Sequence, residues 1–238
     1  MAGVITHMVI ACEIIKRLPK GTLKEESLFY LGNLAPDAIH AREGYVRDLK
    51  KHTHFRDDIL DKDFELQENQ AKYREKLAKF IEQNKDREGG LFELYLGYVA
   101  HILTDELFMI TVRKEFCMVM EQQGIAQSDR LFFEYIIDDM NRNDLLLVKH
   151  YDAIEEVKEK LSQVKIHPID NYLSYEEMDI CMRWMITRHF VEEHELLEPR
   201  YISYQRTISF IREAADYIVS KLSEEGSPFQ MIPSAGLL

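Results

Sequence analysis

The sequence predicts an all-α protein built as a multi-helix bundle, and three observations carry that prediction. Apolar residues recur at steps of three and four from Val4 to Leu222. Ten Gly and six Pro in 238 residues fall well below the average usage of roughly 12%, too few for a turn-dense β sandwich. The stretch from Phe92 to Ile110 is apolar nearly all round, as befits a helix at the centre of a bundle.

The first helix spans about Ile5 to Leu18, because Val4, Met8, Ala11, Ile15 and Leu18 line one face and Pro19 stops the pattern. A shorter helix around Glu25 to Asn33 ends before Pro36, since proline biases Ala35 away from helical geometry. Asp37 and His40 then fall in a long loop that continues through Gly44 to Lys50, Lys51, His52, Thr53, His54 and Phe55. Loops of that length in compact domains are usually functional or disordered. A charged amphipathic helix covers roughly Glu65 to Asn84, and after a break Leu91 to about Met120 reads as one long helix or two end to end. Ser128 opens a run to about Asp139. Asp152 with Glu155, and Ser174 with Glu177, have the spacing of a capping box. A last helix covers about Ser203 to Leu222, followed by an apolar, proline-containing tail over 225–238. No repeat or clear boundary interrupts the chain, so residues 1–238 are expected to form a single domain.

Charge and composition exclude several functions. A formal charge of -12 is the wrong sign for holding long nucleic acid or an anionic membrane by neutralising phosphates. No apolar stretch reaches the 18 or so residues of a membrane span. The apolar start precedes Lys16 and Arg17, the reverse of a secretory signal, so a cytoplasmic protein is expected. Cys12, Cys117 and Cys181 are odd in number and far apart, which indicates neither a disulfide framework nor a thiolate metal site.

Chemistry gathers around the histidines. His101 and Asp105 are four apart on the apolar helix and share one face. They read either as metal ligands or as a buried histidine hydrogen-bonded to an acid; a buried aspartate needs a cation or several donors in either case. His7 lies in the first turn of the first helix, Asp37 follows Pro36, and His54 ends the stretch Lys51-His52-Thr53-His54-Phe55.

In the order His7, Asp37, His54, His101, Asp105, the chain resembles the zinc-dependent phospholipase C family, which includes single-strand nucleases of the same fold. The resemblance rests on Ile5-Thr6-His7, Gly32-Asn33-Leu34-Ala35-Pro36-Asp37, the segment ending at Phe55, and Tyr98-Val99-Ala100-His101-Ile102-Leu103-Thr104-Asp105. It implies an all-helical bundle of the phospholipase C and nuclease type with zinc at the base of a cleft. By the family pattern, Asp37, His54, His101 and Asp105 hold one zinc, while His7 and the other Asp105 oxygen hold a second; Asp37 also accepts a proton from the attacking water. Imidazoles and carboxylates are ligands that zinc accepts, and a metal pair suits phosphoester hydrolysis.

The sequence departs from that pattern in two places. Secreted members use an N-terminal tryptophan as a ligand, whereas the sole tryptophan here is Trp184. The family's third zinc needs a further His and a His-x-x-x-Glu pair, yet no histidine occurs between His101 and His150, so one to two zinc ions are expected. His189 and Glu193 offer an i, i+4 substitute if their helix folds over the cleft, the exposed end of a charged helix being the more favoured reading. Asp144 is another cleft candidate, with capping of the following helix as its alternative. His40 is either a group orienting Asp37 or a loop surface residue. His52 is read as surface, since alternating residues of an extended loop point to opposite sides. Arg42, Arg47, Lys50 and Lys51 can draw a phosphate inward, although a charged loop is usually just solvated.

The expected function is zinc-dependent hydrolysis of a small phosphoester or phospholipid-like substrate. The rival is a non-catalytic, zinc-stabilised helical protein that has lost part of the cluster. Neither the substrate's identity nor the oligomeric state is readable from the sequence.

Overall fold

A computed structural model describes residues 2–234; the last four residues of the apolar tail lie outside the described residues. Among the described residues the chain is helical without a strand. Its α-helices are α1 (Val4–Arg17), α2 (Glu26–Leu34), α3 (Arg47–Thr53), α4 (Gln67–Asn84), α5 (Leu91–Ile110), α6 (Val112–Gln122), α7 (Arg130–His150), α8 (Ile154–Gln163), α9 (Tyr175–Ile186) and α10 (Tyr204–Ser223). Among the described residues no helix is long and apolar enough to cross a membrane.

The apolar helix α5 is buried along nearly its whole length, with Leu94, Tyr98, Val99 and Ala100 fully enclosed. Its principal neighbour is α2, and two glycines let their backbones touch. A Cβ at Gly97 would lie 2.1 Å from the Phe29 carbonyl oxygen, and one at Gly32 would lie 1.9 Å from that of Leu94. Neither position has room for a methyl group. Helix α1 packs against α2, α7 and α10, and Phe210, Ala214 and Ile218 bring α10 into the same core. The Asp139 carboxylate on α7 accepts from the backbone N–H groups of Arg200, Tyr201 and Ile202, which fixes the approach to the Ser203-capped α10.

Four local expectations are corrected. The segment after α2 is not a loop: Ala35 keeps α-helical angles (φ −54°, ψ −48°) and a 3-10 turn runs over Ala35–Ala41. Pro36 sits at its start, where its missing N–H leaves nothing unsatisfied. The cluster Lys50 to Thr53 is helical as well, in α3, which lacks the apolar periodicity that would have revealed it. The side chain that starts α7 is Asp129 rather than Ser128, accepting from the Leu131 N–H, and α7 runs on to His150. Asp152 and Glu155 form no capping box, because α8 begins at Ile154 with Ala153 as its cap. The Ser174–Glu177 box is present. The long central stretch is two helices, broken at Thr111 (φ −120°, ψ −91°).

Gly97→Ala tests the α2–α5 contact. Forcing a methyl group against the Phe29 carbonyl should cost on the order of 3 kcal/mol, read as a lowered Tm in thermal unfolding. An unchanged Tm would mean that the helices can separate freely.

Candidate metal centre and cleft

The α2–α5 contact brings the first ligand candidates together. The His101 Nδ1–H donates to the Asn33 carbonyl at 2.7 Å, which leaves the Nε2 lone pair facing away. His54 is set in the same manner from α3, its Nδ1–H donating to the Lys50 carbonyl at 2.9 Å. Phe55, at φ 57°, takes the left-handed position that follows a helix end, and its buried ring is held against Phe80 and Tyr98. The helix stops there, and the His54 ring points inward.

The consequence is an unusual meeting of lone pairs. The Nε2 atoms of His54 and His101 are 3.3 Å apart. His54 Nε2 lies 3.5 Å from Asp37 Oδ1 and 3.4 Å from Asp105 Oδ2, while His101 Nε2 is 4.0 Å from the latter. His7 stacks on His101 with ring centroids 3.8 Å apart and places its Nε2 3.4 Å from Asp105 Oδ1. Both His7 nitrogens and Asp105 Oδ2 are buried without a hydrogen-bond partner among the described residues. Two donor groups result, His7 with His101 and Asp105, and Asp37 with His54 and His101; within each, the ligand atoms lie within 4.8 Å of one another.

Electrostatics favour a cation between them. Burial, assisted by the neighbouring Lys50, pushes the His54 imidazole down to about 4 despite the attraction of Asp37 and Asp105. His101 is likewise well below the ordinary range, through burial and the adjacent His7. Burial works to raise Asp37 and Asp105, but the Lys50 ammonium holds Asp37 well below the carboxylate range, and Asp105 also lies well below it. Neutral imidazoles facing ionised carboxylates are the donor set zinc accepts, and the second nitrogens of His54 and His101 are oriented by backbone carbonyls, as metal-ligating histidines usually are. The residues fit the ion.

Other candidates fall around the same region in different roles. Asp144 caps α1, accepting from the N–H groups of Ile5 at 3.0 Å and Thr6 at 2.9 Å and from the Thr6 hydroxyl at 2.9 Å. It thus caps the first helix, not the one that follows it. A Cβ on Gly3 would lie 2.4 Å from its Oδ1, so the approach requires glycine there. Burial lifts Asp144 to about 6 in spite of those donors. His189 is drawn inward by a π-type turn, Thr187–Val191, and is buried with Nδ1 unpartnered. Glu193 lies beyond that turn and is exposed, so the expected helical pair with His189 does not form. The His40 ring is exposed, edge-on to Tyr45, and makes no hydrogen bond to the Asp37 carboxylate among the described residues. His52 is exposed beside Asp57, though on a helix rather than an extended loop.

Lys50 is the residue that sequence reasoning undervalued. Its side chain is 6% exposed and ion-paired to Asp37. A lysine in a charged run gives no sign of burial; only the placement of α3 shows it. Asp37, His40, Lys50, Asp144 and His189 line a cavity of about 510 Å³ whose lining also includes Ile180, Cys181 and Trp184.

Acid stability tests the histidine environment. His54 takes up a proton near 6.5 when unfolded and near 4 when folded, so its contribution is complete above about pH 6.5 and is lost as the pH falls toward 4. Thermal unfolding of chelator-treated, metal-free protein between about pH 7 and pH 4 should show a steep fall for the wild type and a shallower one for His54→Gln. Identical slopes would contradict the assignment.

No significant match was found among curated proteins or among solved structures. A family described as zinc dependent phospholipase C matches residues 6–107, a little under half of the chain. That span holds His7, Asp37, His54, His101 and Asp105, and over it the chain is zinc dependent phospholipase C-like.

Proposed function

We propose that this chain is a zinc-dependent phosphoester hydrolase acting on a small phosphoester or phospholipid-like substrate. The observation that carries this reading is the approach of two imidazole lone pairs, 3.3 Å apart, between two ionised carboxylates. Without a cation that arrangement is repulsive. Asp37, His54, His101 and Asp105 would hold one zinc, with His7 and the other Asp105 oxygen available to a second. Bound zinc supplies Lewis-acid polarisation of a phosphoryl oxygen.

The chain's own residues supply the remaining parts. Asp37, whose side chain is 17% exposed, is the carboxylate of the cluster that also lines the large cavity. It is therefore the group placed to accept a proton from an attacking water. Lys50 keeps it ionised and directs an ammonium toward a phosphoryl oxygen. The cavity falls within the usual range of roughly 300–1,000 Å³ for small-molecule sites, and Ile137, Ile180 and Trp184 give it an apolar rim for the leaving group.

The test is hydrolysis of a nitrophenyl phosphodiester and a short-chain phospholipid by zinc-loaded protein. Activity should vanish with a chelator and return with zinc, and Asp37→Asn should lower kcat by about 10²-fold or more. Folded, zinc-loaded protein that cleaves no phosphodiester, phosphomonoester or phospholipid would instead identify a zinc-stabilised protein without catalysis.

A further inference from the structure

A second charged cluster lies beside the candidate centre, on the 3-10 turn Asp61–Asp63. The Asp61 carboxylate faces three guanidinium groups: Arg47 at 2.6 Å, Arg56 at 3.3 Å and Arg113 at 3.7 Å. Arg56 and Arg113 are buried, at 6% and 7% exposure. Each arginine also lies on an aromatic ring, Arg47 on Phe133, Arg56 on Phe64 and Arg113 on Phe132, which fixes the guanidinium orientations. Arg113 donates no hydrogen bond among the described residues. One carboxylate against two buried guanidiniums and the half-exposed Arg47 leaves positive charge in excess around Asp61, in a chain whose formal charge is -12.

Such an excess is costly unless an anion joins it, and the surroundings give an anion room. Arg47, Arg113 and Asp61 line a cavity of about 220 Å³ in which Asp61 is the sole carboxylate. His40, Lys50, Ile137 and Met140 line both this cavity and the 510 Å³ one. A ligand with its reacting phosphoryl group at Asp37 and Lys50 can therefore extend past Lys50 to the arginines. Guanidinium forks match phosphate oxygens in pairs, whereas a quaternary ammonium would be repelled.

We infer that the arginine cavity is a second phosphate-binding subsite, so that the substrate is a phosphoester carrying an additional phosphate group rather than a cationic one. The subsite itself stands on the arginine geometry; only its use for substrate rests on the hydrolase reading. The shared chemistry is a phosphate monoester, borne by either an inositol phospholipid or a short nucleotide.

Two measurements test it. Isothermal titration of the full chain with inorganic pyrophosphate is run on wild type, Arg47→Gln and Arg113→Gln, each with and without Asp105→Asn, which removes pyrophosphate binding through zinc. Wild type and Asp105→Asn should bind pyrophosphate, and Arg47→Gln should weaken binding about tenfold in both backgrounds. Arg47 is half exposed, so its variant decides the matter even if Arg113→Gln fails to fold. Wild type and Arg47→Gln binding alike, or no pyrophosphate binding in the Asp105→Asn background, would overturn the subsite. Arginine-dependent binding in a protein that hydrolyses nothing would support the subsite while removing the hydrolase reading. With active enzyme, kcat/KM is compared for an inositol phospholipid with and without a ring phosphate, and for a thymidine dinucleotide with and without a terminal phosphate. The added phosphate should raise kcat/KM about tenfold in one pair, identifying its source, and Arg47→Gln should erase the gain. No gain in either pair would overturn the substrate assignment.

Discussion

The contact between the backbones of α2 and α5 is the constraint on which the site depends. Gly32 and Gly97 leave no space for a side chain at the crossing, and the closeness they permit sets the Asn33 carbonyl against His101. That one hydrogen bond fixes which imidazole nitrogen faces the carboxylates. Asp105, one turn further along α5, is carried to the same point, and α1 is brought in above it by the Asp144 carboxylate capping its first turn. Helix packing thus determines donor chemistry: residues dispersed over the first half of the chain become one cluster because two helices approach more closely than ordinary side chains allow.

The acidic composition conceals a local reversal of charge. Most of the 42 acidic residues lie on solvated faces, but the wall of the cleft carries Lys50 and, beside it, Arg47 and Arg113 with Asp61. Net charge therefore argues against binding an extended polyanion and says nothing against a small one. Field within a cavity is set by the few groups that line it, in surroundings that screen poorly.

Fold class was legible because helical spacing recurs throughout and glycine and proline are scarce. The ligand candidates were legible because each lies in a short segment whose residue types suit a metal, and His101 and Asp105 share a face by helical geometry alone. Boundaries around Pro36 and Lys50 were not, since a 3-10 turn and a seven-residue helix have too few residues to show a period. The burial of Lys50 follows from tertiary placement, as does that of His189, which depends on a π-type turn that no local pattern announces. The extended-loop argument that separates His54 from His52 does not apply: both are helix-terminal, and the bond from the His54 Nδ1–H to the Lys50 carbonyl holds that ring inward. Asp144 shows the limit most clearly. Its capping role was foreseen, but its partner is α1, about 140 residues earlier in the chain.

The most direct test is the zinc content of purified variants, measured by mass spectrometry. Asp105 turns Oδ1 to His7 and Oδ2 to His54 and His101, so Asp105→Asn removes the one carboxylate charge that faces all three imidazoles, whereas His7→Ala removes a single imidazole. Wild type should carry one to two zinc ions per chain, with a larger loss in Asp105→Asn than in His7→Ala and His52→Ala close to wild type. Equal zinc content in the wild type and Asp105→Asn would contradict the account.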